Sequence, residues 1–125
     1  MLRMIVESSA IIHILNGTQK GRKITELYGS EITATTAICV HEVWVGVRQH
    51  ERQFVHDFFQ GLEILPFEAE SAYNSAEIEK RLEKKGKTIG KLDVFTASIA
   101  LAHGIPLITT DKDFQQVDGL NVILV

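Results

Sequence analysis

Short apolar runs of strand-forming residues recur along this 125-residue chain, and each is separated from the next by a stretch with helical spacing and its own stop signal. That alternation constrains the fold more than any other feature. Strands separated by helices do not pair as simple hairpins; they build a parallel sheet whose faces are covered by the intervening helices. Leu2 to Val6 is the first run, Glu31 to Thr35 the second, Ile64 to Phe67 the third, Pro106 to Thr109 the fourth and Val122 to Val125 the last. Between them, Ser8 and Ser9 offer caps to an apolar helix that ends at Gly17, and a short helix over Thr18 to Tyr28 follows. Thr35 or Thr36 caps the next, which carries Ile38, Val40, Val43, Trp44 and Val47. Helices over Glu51 to Gln60 and Glu68 to Lys85 precede Gly61 and Gly86, and Leu92, Phe95, Ile99 and Ala102 repeat at helical spacing before Gly104. The expected fold class is α/β, a three-layer sandwich with a mostly parallel central sheet flanked by helices, in one domain over residues 1–125.

Composition closes off other classes. With 45% hydrophobic and 23% charged residues the chain can bury a core, so disordered and fibrous readings fail. No apolar run reaches the roughly 18 to 20 residues of a membrane span, and Glu7 interrupts the apolar N-terminal stretch, so neither anchor nor signal peptide is expected. Cys39, the single cysteine, excludes an internal disulfide and a cysteine zinc cluster and suits a reducing, cytoplasmic setting. The net charge of −3 argues against a generally basic nucleic-acid-binding surface. Yet Lys80, Arg81, Lys84, Lys85, Lys87 and Lys91 face only Glu83 within positions 80 to 91, a net +5 that leaves −8 for the remaining chain. An acidic body beside a basic stretch suits a metal site adjoining a phosphate-contacting edge.

In a parallel α/β sheet, ligands bind beyond the carboxyl ends of the strands, so carboxylates at those positions carry the argument. Glu7 follows the first strand, Glu42 lies early in the helix after the second, Asp93 opens the helix before the fourth, and Asp111 and Asp113 follow the fourth. Brought to one edge they would repel unless protonated or neutralised by a divalent cation, and oxygen-only donors favour Mg²⁺ or Mn²⁺ over zinc. Individually each acid has a plainer reading: Glu7 as a helix cap, Asp93 as a complement to a helix dipole, Asp111 and Asp113 as turn builders.

At this point the motifs resemble those of a known family, the PIN-domain ribonucleases, and within it the short VapC-type toxins of toxin–antitoxin pairs. Met4-Ile-Val-Glu-Ser-Ser-Ala-Ile-Ile12 is similar to the opening motif, and Ala34-Thr-Thr-Ala-Ile-Cys-Val-His-Glu-Val-Trp-Val-Gly46 to the second. Ile89-Gly-Lys-Leu-Asp-Val-Phe-Thr-Ala-Ser-Ile-Ala100 resembles the third and Pro106-Leu-Ile-Thr-Thr-Asp-Lys-Asp-Phe114 the fourth. The resemblance covers essentially the whole chain. It implies a PIN-like sandwich, metal-assisted hydrolysis of RNA phosphodiester bonds, Glu7, Asp93 and Asp111 as ligands of Mg²⁺ or Mn²⁺, and Glu42 coordinating or orienting water. Asp113 is then an alternate ligand, and Ser8 and Thr109 hydrogen-bond the acids and fix their direction. It further implies a small VapB-type antitoxin as partner, and a homodimer, for which Ile78 and Leu82 are read as a second apolar stripe free to face a partner.

The family has Asp where Glu7 stands, and one more methylene adds roughly 1.5 Å. Because Mg²⁺ tolerates little ligand displacement, that change predicts a weakened site that Glu7→Asp would improve. The alternative function is accordingly a catalytically weakened PIN-fold module that binds RNA or protein; a phosphate-responsive signalling domain is the third reading. Lys84, Lys85, Lys87 and Lys91 are the expected RNA contacts, against solvation and helix-dipole complementation as the plainer account. Other signals fail on chemistry. His41-Glu42 lacks the second histidine of a zinc-protease helix, because Val45 stands there, and Gln115 spoils a phosphatase reading of Asp111-Lys-Asp113. A receiver domain would want adjacent acids after its first strand, where Ser8 follows Glu7. The five scattered histidines read as surface or core residues.

Overall fold

The structure, a computed structural model, describes residues 2–125. Five short strands, β1 (Met4–Val6), β2 (Ile32–Thr36), β3 (Glu63–Leu65), β4 (Leu107–Thr109) and β5 (Val122–Leu124), form one sheet in the order β3-β2-β1-β4-β5. Every ladder is parallel. Six helices connect or flank them: α1 (Ser8–Leu15), α2 (Gln19–Tyr28), α3 (Ala37–Val45), α4 (Arg52–Gln60), α5 (Ala69–Lys84) and α6 (Lys91–His103).

β1 and β4 are buried at every position, as central strands covered on both faces must be. Successive side chains point to opposite faces, so Ile5 and Leu107 enter one core with Ile78, Leu82, Val94 and Ala97, while Val6 and Ile108 enter the other with Ile11, Ile24, Val43 and Phe59. Thus α5 and α6 cover one face and α1 to α4 the other, the expected three-layer sandwich. The chain runs from β1 outward to β3, then returns to β4 on the far side of β1. That reversal places the switch point between β1 and β4, where the carboxyl ends of adjacent strands open a crevice.

Several local expectations change. Ile78 and Leu82 are 5% and 4% exposed and belong to the core, so they offer no face to a partner. On α5 the residues turned inward are Ser71, Ser75, Ile78 and Leu82, whereas Ala69, Ala72, Tyr73 and Ala76 face outward. The small serines let α5 lie close against α6, and an alanine stripe read alone gives no sign of which side faces the sheet. α6 is buried nearly all round, through Val94, Thr96, Ala97, Ser98, Ile99 and Ala100, so its apolar repeat does not mark its inner face; Leu92 and Ala102 are exposed. The cap of α1 is Glu7, whose side chain accepts from the Ser9 backbone N–H, in place of Ser8 or Ser9. Thr36 rather than Thr35 caps α3. Asp111 and Asp113 begin a short 3-10 turn, Lys112–Gln116, rather than an open turn.

Candidate active site

Glu7 is placed by two requirements acting on one residue. As the last position before α1 it has extended backbone, and its side chain folds back to satisfy a free N–H of the first turn. As the residue after β1 it sits at the switch point, 3% exposed. Its carboxylate accepts four hydrogen bonds: Oε2 from Ser8 Oγ at 2.6 Å, and Oε1 from Ser9 N at 3.1 Å, Ser9 Oγ at 2.5 Å and Thr109 Oγ1 at 2.6 Å. The direction of these hydroxyls is set from the loop after β4. Asp111 N–H donates to Thr109 Oγ1 at 3.0 Å and Thr110 N–H to Ser9 Oγ at 3.0 Å, which leaves both hydroxyl protons for Glu7.

Glu42 comes from α3, whose start is held by the Thr36 hydroxyl accepting from Cys39 N–H at 3.1 Å. Ser8 Oγ lies 2.6 Å from Glu7 Oε2 and 3.0 Å from Glu42 Oε1, although a hydroxyl has a single proton to give. Burial pushes the Glu42 carboxyl above its ordinary range, the Ser8 contact opposes that, and the charge of Glu7 adds to it.

Asp93 lies in the first turn of α6, behind Gly90. A Cβ at Gly90 would meet Asp93 Oδ2 at 3.4 Å, so the loop backbone passes close beside the carboxylate. Burial first, and then the charges of Glu42, Glu7, Asp111 and Asp113 in that order, push the Asp93 carboxyl up to about 7.

Glu7, Glu42 and Asp93 each bring one carboxylate oxygen into a group spanning at most 4.8 Å. Oxygens around one Mg²⁺ at about 2.1 Å lie at most about 4.2 Å apart, so a sub-ångström contraction fits the three to a hard divalent cation. Three acids at such separation, with Asp93 raised to about 7 by burial first and by the neighbouring charges second, form a site that such a cation would neutralise. Asp111 and Asp113, both half-buried, lie outside that tight group. Asp111 Oδ1 accepts from Asp113 N at 2.9 Å, and Asp113 Oδ1 from Gln116 Nε2 at 3.3 Å. They build a turn and also bear on Asp93 through their charge.

Of the site residues expected from sequence, the fold assembles Glu7, Glu42 and Asp93 with Ser8 and Thr109 directly on the Glu7 carboxylate. Ser9 was missed as a partner of Glu7; the acid-Ser-Ser run was its only signal. The basic residues lie on the end of α5, the loop after it and the start of α6. Lys91 opens α6 two positions before Asp93, while Lys84 and Lys85 end α5 and Lys87 lies between. Lys85 Nζ is 2.6 Å from Asp118 and Lys91 Nζ 2.7 Å from Glu79. Among the described residues, ion pairs engage neither Lys84 nor Lys87.

A five-stranded parallel sandwich with carboxylates gathered at its switch point narrows the class of protein to an α/β fold with an acidic site at the strand ends. The sequence profile of the PIN domain matches residues 4–120, and the chain belongs to the PIN-domain family. Within that family its similarity is to the VapC ribonucleases. Ribonuclease VapC1 of Rickettsia felis is 31% identical over 98% of this chain and 96% of its own length. Ribonuclease VapC5 of Mycobacterium tuberculosis is 28% identical over 82% and 81%. Among solved structures, VapBC2 from Rickettsia felis bound to a DNA fragment from its promoter superposes with a TM-score of 0.85 at 24% identity, covering 100% of this chain and 99% of that one. DNA-bound VapBC from Salmonella typhimurium gives 0.83 at 22%, covering 98% of each. At those identities the superpositions speak to the fold. No helix among the described residues is long and apolar enough to cross a membrane.

Proposed function

We propose that residues 1–125 form one PIN domain acting as a metal-dependent endoribonuclease, the toxin of a toxin–antitoxin pair whose partner is a small VapB-type antitoxin. The observation that carries this is the convergence of Glu7, Glu42 and Asp93 within 4.8 Å at the carboxyl edge of the sheet. Support for the activity and partner comes from the VapC ribonuclease relatives and the VapBC complexes just described.

Glu7, Glu42 and Asp93 would hold the metal, with Mg²⁺ the preferred ion and Mn²⁺ the alternative because every donor is a carboxylate oxygen. When bound, such an ion supplies polarisation of the phosphate and lowers the pKa of an attacking water. Glu7 is held in direction by its four donors. Glu42, raised by burial and facing Ser8, would also orient the attacking water. Asp111 and Asp113 remain within electrostatic reach of Asp93 and serve as alternate, outer partners. Lys84 and Lys87, outside any ion pair, are the better RNA phosphate contacts; Lys85 and Lys91 can join by exchanging exposed carboxylate partners, since such surface pairs contribute only about 0–1 kcal/mol.

Homodimerisation belongs to the same proposal. Its support comes from the family resemblance, since Ile78 and Leu82 are core residues; sedimentation at tens of micromolar, about the range that reveals a stable dimer, tests it.

The functional test is cleavage of single-stranded RNA with Mg²⁺ or Mn²⁺, with and without a chelator, by the wild type and by Asp93→Asn. Cleavage that needs metal and is lost in the variant supports the reading. If the protein binds Mn²⁺ in calorimetry yet cuts no RNA, the weakened binding module, in which Glu7 replaces the usual Asp, takes its place.

A further inference from the structure

Beside the carboxylates lies a groove of about 280 Å³ between α1 on one side and α3 and α4 on the other. Glu42 lines it and also belongs to the carboxylate group, so the groove and the cluster share a wall. Its other walls are mainly apolar, and two of them, Ile12 and Phe54, are 45% and 62% exposed. Phe54 sits on α4 next to Val55, which is buried and anchors that turn of the helix, so the ring is carried on a rigid element. Asn16, exposed at the end of α1, places a carboxamide at the rim. Glu51, also on the rim, accepts from Arg48 N–H at 2.9 Å.

The charge of this groove bars one part of a nucleic acid. Glu42 and Glu51 are carboxylates, which repel a phosphate from the groove itself, so that of an RNA strand only the uncharged base can enter. The volume is just under the roughly 300 Å³ at which pockets for whole small ligands begin, and suits one planar ring better than a nucleotide with its phosphates. An aromatic face with an amide at its edge is the usual means of holding an unstacked base, because stacking supplies affinity and the amide reads the polar edge. A phosphate held through a divalent cation at Glu7, Glu42 and Asp93 would bring its two nucleosides to the borders of that cluster, and this groove adjoins it through Glu42.

We propose that the groove between α1 and α3–α4 receives the nucleobase next to the scissile phosphate, stacked on Phe54 and read by Asn16. This rests on the ribonuclease reading above and adds a base-binding subsite to it. Phe54 and Asn16 then position and select the substrate, while the carboxylates act on the phosphate.

The test uses a random-sequence single-stranded RNA pool, with cut sites sequenced, for the wild type, Phe54→Ala, Phe54→Trp and Asn16→Ala. Phe54→Ala is expected to lower kcat/KM on the order of tenfold and to flatten the base preference at one position beside the cut, as loss of a stacked base does. Phe54→Trp should retain most of the rate, and Asn16→Ala should change which base is preferred. Mn²⁺ affinity and melting temperature should match the wild type in all three, which separates a substrate effect from a damaged site or fold. Unchanged rate and unchanged preference in Phe54→Ala overturn the proposal and assign the apolar walls to a polypeptide partner. If the wild type cuts no RNA with either metal, the ribonuclease reading fails by itself, and binding of the same pool decides the groove. Weaker binding by Phe54→Ala then supports a base subsite, and equal binding removes it.

Discussion

Thr109 donates its hydroxyl to Glu7 at 2.6 Å across 102 residues of sequence, with both side chains buried. The bond ties the end of β4 to the start of α1 and makes the switch-point crevice a fixed object. Thr109→Val keeps the shape and deletes the donor, leaving a buried carboxylate one partner short, so it should cost about 1–3 kcal/mol of stability. Urea unfolding measures the loss, and Mn²⁺ titration should show weaker binding as Glu7 loses its aim.

Glu7→Asp is expected to lower RNA cleavage. From sequence alone, the shorter family residue promises a tighter metal site. In the fold, however, Ser8, Ser9 and Thr109 all converge on a carboxylate at the end of the longer arm. Withdrawing it by roughly 1.5 Å breaks that set and opens the distance to Glu42 and Asp93, and displacements of this order cost about a hundredfold. Steady-state rates at saturating Mn²⁺ decide it, and a faster Glu7→Asp enzyme refutes the argument.

The raised acids make stability depend on pH in a defined direction. Asp93 holds its proton in the fold up to about 7, whereas in the unfolded chain it releases it near about 3.9. Between those values the folded state binds more protons, so stability from this group is greatest at the acid end and falls as pH rises to about 7; Glu42 acts in the same direction. Melting in a chelator at pH 5.5 and 8 should show the decline, and Asp93→Asn should remove most of it. Added Mn²⁺ should raise the melting temperature more at pH 8, because ligands must be deprotonated to bind.

Gly21 is required by the packing of α2 on α1. A Cβ there would sit 2.0 Å from the His13 carbonyl oxygen, a backbone atom that cannot turn away. Gly21→Ala should force the helices apart and cost about 3 kcal/mol, whereas the same change at exposed Gly61, whose added Cβ would make only ordinary contact at 3.5 Å, should cost far less. Thermal or urea unfolding of the two variants provides the comparison.

Lys84 and Lys87 should contribute more to RNA binding than Lys85 and Lys91, whose ammonium groups are engaged by Asp118 and Glu79. Replacing the first pair by Ala should reduce the slope of log affinity against log salt by about 1.4, the value for two single-strand phosphate contacts. An equal slope change for the second pair would show that those ion pairs exchange freely for phosphate.

Much of this was legible in the sequence because it depends on local chemistry. The alternation of strands and helices, the stop at Gly104 and the acids beyond strand ends all follow from propensity, periodicity and turn stereochemistry within a few residues. The motifs around Asp93 and Asp111 together carried enough pattern to indicate the family. What remained open depends on contacts between residues far apart in the chain. Ile78 and Leu82 look like a free stripe until α6 is laid against α5. α6 shows no inner face in its sequence because neighbours surround it. Asp111 and Asp93 look equivalent as acids, yet only Asp93 joins Glu7 and Glu42, because the backbone after β4 turns Asp111 back to cap its own 3-10 turn. Likewise, nothing local reveals that Ser9 and Thr109 share one carboxylate oxygen. Sequence thus determined which elements form and which acids lie near the sheet edge, while tertiary structure decided which of those acids meet, since hydrogen bonds and repulsion at a few ångströms depend on positions that only the packed sheet and helices define.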